Sequence, residues 1–142
     1  AGRQGRQEES VAHFRAALTQ MPASYQFLIS LGGALLAMRD GAQAVSVNEG
    51  AVRARPDDAQ AHNNLGNALA EQGKLEAAIE HYREALRLNA DNPEAHFNLA
   101  FALIHQDKRE EAVAHLREAL RLKPDYPEAQ AQLKSMLGQP QP

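Results

Sequence analysis

The chain has 142 residues, 44% of them hydrophobic and 23% charged, a formal charge of -3 and a pI near 6.1. That balance suits one folded domain and excludes both a disordered polyelectrolyte and a membrane-spanning bundle. No segment concentrates Lys and Arg without matching Glu or Asp, so the electrostatic footprint of a nucleic-acid binder is missing. Aromatics are only 5% with no Trp, while Ala and Leu dominate, which favours helices in contact through small side chains over a β-sandwich. The absence of Cys removes disulfide and thiolate chemistry and leaves the compartment open between cytoplasm and periplasm. No apolar run approaches the roughly 20 residues that span a bilayer, and the opening AGRQGRQEES has no signal-peptide core, so any targeting segment would lie outside this chain.

In chain order, residues 5–21 place Val11, Phe14, Ala17 and Leu18 on one helical face ahead of Pro22. Residues 25–58 hold Leu28, Leu31 and Leu35 on a first helix, the turn RDG at 39–41, Ala44 and Ala51 on a second helix, and Pro56. Residues 59–92 repeat the plan with Leu65, Leu69, QGK at 72–74, Ala78 and Ala85. Residues 93–126 repeat it again with Leu99, Leu103, QDK at 106–108, Ala112, Ala119 and Pro124. The step is 34 residues throughout, so the unit is a helical hairpin. Residues 127–137 match a first helix only, with Ala129, Leu133 and Met136 inward, and read as a solvating cap. The tail, 138–142, is expected to be disordered.

These residues resemble the tetratricopeptide repeat family, whose 34-residue unit carries a large residue, Leu-Gly, a large residue, Ala, an aromatic, Ala and Pro. The second repeat supplies His62, Leu65, Gly66, Leu69, Ala78, Tyr82 and Ala85; the third supplies His96, Leu99, Ala100, Leu103, Ala112, Leu116, Ala119 and Pro124. The first puts Asn48 where an aromatic is usual, and the segment before it matches half a unit. The resemblance implies an all-α, right-handed superhelical solenoid of antiparallel helix pairs. It would hold three full repeats, an N-terminal half repeat and a C-terminal capping helix, together a single domain over 1–137.

The physics of such a stack is local. Gly66 and Ala78 let two helices approach, and Leu65, Leu69, Tyr82 and Leu86 fill the space around them. A lone hairpin cannot bury its apolar face, so stability is a sum over repeats and their interfaces. Repeat 1 is expected to be the weakest, because Gly32 and Gly33 each cost roughly 1 kcal/mol in helix propensity relative to Ala and Asn48 falls at a buried position.

First helices line the inner surface of a curved stack, the surface repeat proteins commonly bind with. That face carries Asn63, Asn64, Asn67 and Asn98 together with Phe97, Phe101 and Ile104. An Asn amide offers a donor and an acceptor, matching a peptide backbone unit, so Asn64 and Asn98 could grip an extended chain. The pattern resembles the asparagine ladder of O-linked N-acetylglucosamine transferases, with Ser30 breaking it at repeat 1. Phe97, Phe101 and Ile104 offer a pocket for an apolar side chain. The alternative is that the asparagines bond locally and the phenylalanines pack between helices.

Other chemistries find no support. The first helices of repeats 1 to 3 hold no Lys or Arg, so the clamp with which some members of this family hold an acidic C-terminus is not expected. The histidines recur at the repeat spacing, His62 with His96 at the large-residue position and His81 with His115 outward on the second helix, and building-block repetition accounts for them without a metal. No nucleophile elbow or phosphate-cradling loop occurs, so no catalytic residue and no cofactor is expected. The reading is a non-catalytic scaffold that holds a protein or extended peptide, with no membrane insertion. The alternatives are self-association through the stripe of Val11, Phe14 and Leu18, and a regulatory repeat segment of a larger enzyme such as a glycosyltransferase.

Overall fold

A computed structural model of the chain describes residues 25–138. The half repeat at 5–21, with Val11, Phe14 and Leu18, and the tail beyond Gly138 lie outside the described residues. Within them are seven helices and no strand: α1 (Tyr25–Ala37), α2 (Gly41–Ala54), α3 (Ala59–Glu71), α4 (Leu75–Leu88), α5 (Pro93–His105), α6 (Arg109–Leu122) and α7 (Pro127–Gly138). Each helix packs on the next, and α1 also meets α3 as α3 meets α5. The first helices therefore lie side by side as one layer, with α2, α4 and α6 as the other.

Local chemistry sets the boundaries. Asp58 and Asn92, one repeat apart, cap α3 and α5: their side chains accept from the Gln60 and Ala95 amides at 2.8 and 3.1 Å. Asp40 does the same for α2 through the Gln43 amide. Inside each hairpin the chain reverses through a left-handed residue at equivalent positions, Arg39, Gly73 and Asp107, with φ of 59°, 76° and 62°. Only Gly73 takes that conformation without steric cost.

The helices of each pair meet at alanine. Ala44, Ala78 and Ala112 and, two turns further along the same helices, Ala51, Ala85 and Ala119 are wholly buried. At Gly66 an added Cβ would fall 2.6 Å from the Tyr82 ring, so the missing side chain is what admits the aromatic. The same position in repeat 1 is Gly32, and an added Cβ there would run into the Asn48 carboxamide.

Asn48 is fully buried, and neither its oxygen nor its nitrogen has a hydrogen-bond partner. It stands where Tyr82 and Leu116 stand in the later repeats, and the core falls into two clusters that meet at α3. One cluster gathers Tyr25, Leu28, Leu31, Leu35 and Val47; the other runs from Leu65 to Met136, with Val45 and Val52 touching both. An orphaned buried amide forfeits its hydration with nothing in return. Asn48→Leu is therefore expected to stabilise the protein by about 1–3 kcal/mol, read as a higher denaturation midpoint and slower hydrogen exchange in α1 and α2. An unchanged or lower midpoint would contradict this account of the joint.

Candidate functional site

α1, α3 and α5 frame an open cleft of about 440 Å³ with the start of α4 at its edge. Of the residues expected on the inner face, Asn67, Asn98 and Phe101 line it together, joined by Leu36, Glu71 and His105. Phe101 is 47% exposed and makes an edge contact with His105, ring centroids 4.7 Å apart.

The two amides in the cleft are oriented from behind. The Tyr82 hydroxyl donates to Asn67 Oδ1 at 2.6 Å, and burial pushes the phenol's pKa above its ordinary value, so the proton stays on it. With its oxygen engaged, Asn67 presents N–H donors. Asn98 Nδ2 donates to Asn63 Oδ1 over a long 3.4 Å, which leaves the Asn98 oxygen as an acceptor. One rung donates and the neighbouring rung accepts.

The remaining expected residues sit elsewhere. Asn64 is 8% exposed and accepts from Gln60 Nε2 at 2.9 Å; Asn63, at 6%, is the acceptor for Asn98. Phe97 packs on Tyr126, centroids 5.3 Å apart, and Ile104 is half-buried against the C-terminal core. The repeat period alone picks Asn64 with Asn98; the cleft pairs Asn67 with Asn98.

The histidines also differ from expectation. His81 and His115 do not point outward: both are half-buried, stacked on His62 and His96 at centroid distances of 5.3 and 5.2 Å. Their Nδ1 atoms lie 3.1 and 3.0 Å apart, while His62 and His96 Nε2 lie 2.8 and 3.0 Å from the carbonyls of Pro56 and Ala90. A carbonyl only accepts, so Nε2 of His62 and His96 carries hydrogen, their Nδ1 accepts, and His81 and His115 donate from Nδ1. Gln130, one repeat further on, donates to the Pro124 carbonyl at 2.8 Å in the same way. These contacts tie the start of each first helix to the junction before it. Among the described residues no group of three or more His, Asp or Glu converges as a metal site would require.

Models of the tetratricopeptide repeat match residues 3–67, 66–107 and 93–126, which together cover 3–126. The chain belongs to the tetratricopeptide repeat family. Among solved structures it is similar to MamA, at 18% identity and a TM-score of 0.83 over 95% of this chain and 79% of that one. It is also similar to the first tetratricopeptide domain of Spaghetti, solved with the HSP90 peptide SRMEEVD, at 21% identity and 0.77 over 80% and 90%. The O-GlcNAc transferase of Thermobaculum terrenum matches at 26% identity and 0.77, over 82% of this chain but 22% of the enzyme. A sequence comparison with curated proteins finds no match. A tetratricopeptide solenoid is a protein-interaction scaffold, and this one is a right-handed superhelix of antiparallel helix pairs.

Sequence reasoning missed Tyr82 as the group that orients Asn67, and Glu71 as part of the cleft. It also missed the histidine pairs, although a recurrent spacing of 19 residues, from His62 to His81 and from His96 to His115, marks them. Those pairs make this tetratricopeptide stack sensitive to acid. Burial first, and then the facing His62 or His96, lowers the pKa of His81 and His115 below 6.5, against the opposing pull of Glu49, Glu80 and Glu84 at His81 and of Glu111 and Glu118 at His115. The unfolded chain then binds more protons than the folded one, so this stabilisation is complete above pH 6.5 and lost as pH falls from there through the folded values. Denaturant midpoints should drop on acidification across pH 6.5. The His81→Asn, His115→Asn variant, which keeps an N–H toward the facing ring, should drop less.

Proposed function

We propose that the chain is a non-catalytic scaffold that holds an extended segment of a partner protein in the cleft between α1, α3 and α5. The observation that carries this reading is the polarity of the two amides. Asn67 offers a donor and Asn98 an acceptor on one wall, the complement of a peptide unit's C=O and N–H, with exposed Phe101 beside them for a side chain. Gripping the backbone gives affinity that tolerates many sequences, and the adjoining apolar surface gives preference.

Spaghetti, similar in fold, was solved with an HSP90 peptide, which supports peptide binding by a stack of this kind. The acidic character of that peptide does not transfer: α1, α3 and α5 hold no Lys or Arg here. The O-GlcNAc transferase likeness covers 22% of that protein. It supports, as a second setting, a regulatory repeat segment of a larger enzyme such as a glycosyltransferase.

Selection of extended peptides from an unbiased display library, with the hits titrated against the parent and the Asn67→Ala, Asn98→Ala variant, tests the proposal. Each amide bond is worth roughly 0.5–1.5 kcal/mol, so the double change should weaken binding about 5-fold to 150-fold while the helical circular dichroism is retained. Hits that bind the variant as well as the parent would remove the site from this cleft.

A further inference from the structure

Gripping a peptide backbone through Asn67 and Asn98 leaves the carboxylate of Glu71 in the cleft unused. Glu71 closes α3, and its side chain lines the cleft with Asn67, Phe101 and His105. It is exposed, and among the described residues no Lys or Arg forms an ion pair with it. No Lys or Arg lines the cleft, and none occurs on the three helices that frame it. The cleft thus carries a negative charge at Glu71 beside a half-exposed phenylalanine ring.

We propose that this cleft takes an arginine side chain of the bound segment. The assignment rests on the groove reading and deepens it by naming the chemistry of the residue recognised. A guanidinium is planar, always charged and weakly hydrated; it pairs with a carboxylate and lies flat on an aromatic face in a single pose. Glu71 supplies the carboxylate and Phe101 the ring. The methylene stem of the arginine would run over Leu36 and Ala70, which line the same cleft. Lysine offers a more strongly hydrated point charge that gains less from the ring, and an aspartate or glutamate would face Glu71 with no cation to offset it. The acidic C-terminal peptides held by basic grooves are thereby disfavoured, and a segment with an arginine between small or apolar residues is favoured.

The test uses peptide pools with random flanks and a fixed central Arg, Lys, Leu or Glu, titrated by fluorescence polarisation against the full chain. The arginine pool should bind about 5-fold to 10-fold tighter than the lysine and leucine pools, a margin of about 1–1.4 kcal/mol. That margin should shrink with added salt, because the Glu71 contact is partly solvated. Glu71→Gln should abolish it, and Glu71→Lys should move the preference to the glutamate pool. Glu71 is exposed at a helix end, so neither change threatens the fold. A leucine pool that binds as well as the arginine pool, or an arginine preference unchanged in Glu71→Gln, would overturn the assignment. The Asn67→Ala, Asn98→Ala variant separates the two failures. Once either of those results has removed the arginine assignment, a variant that still weakens every pool leaves the groove standing, and one that changes nothing removes the groove reading as well.

Discussion

The close approach of two helices at alanine is the contact on which the rest of this molecule depends. Ala44, Ala78 and Ala112 have no accessible surface, and a side chain one carbon longer at these points would push the helices of a hairpin apart. Close approach lets a leucine or tyrosine from one helix reach across the other into the core. Because the same contact recurs every 34 residues, each hairpin presents the same faces to its neighbours. The first helices then fall side by side into a layer and leave a cleft along it.

Tyr82 connects that packing to the site. Its ring lies where Gly66 lacks a side chain, part of the core, and its hydroxyl reaches the far side of α3 to hold Asn67. A residue placed for packing thus fixes the hydrogen-bonding polarity of a residue in the cleft. Repeats 1 and 3 have no equivalent. Asn48 is too short and polar, Leu116 carries no donor, and the positions that match Asn67 hold Gly33 and Phe101. The groove is therefore uneven along its length, with Gly33 at repeat 1, Asn67 at repeat 2 and Phe101 at repeat 3.

Polar contacts at the junctions repeat as faithfully as the core does. His62, His96 and Gln130 each bond the carbonyl six residues upstream, satisfying an acceptor that a helix junction would otherwise leave to solvent. A histidine at this place brings its second ring nitrogen within reach of the neighbouring helix, and His81 and His115 use it. His62–His81 and His96–His115 each join the two helices of one hairpin, as Asn48 faces Gly32 inside the first. The histidines bond one another, whereas Asn48 has no partner. The first hairpin is in consequence the least tightly held of the three.

The sequence by itself determined the repeat length, the alternation of first and second helices, and the leucines and alanines at the centre of the core. These are local matters: a period of 34, apolar residues on one helical face, and Gly or Ala where helices touch. It also determined which helices face the groove, and so which seven residues to look among. Only the tertiary structure decided that Asn67 rather than Asn64 stands with Asn98 and Phe101, that Glu71 closes the cleft, and that His81 and His115 turn inward. Neighbouring helices cross at an angle, so residues equivalent by count are not equivalent in exposure. A side chain with two hydrogen-bonding ends is also turned by whichever partner the next helix offers, and a linear sequence does not say which partner arrives.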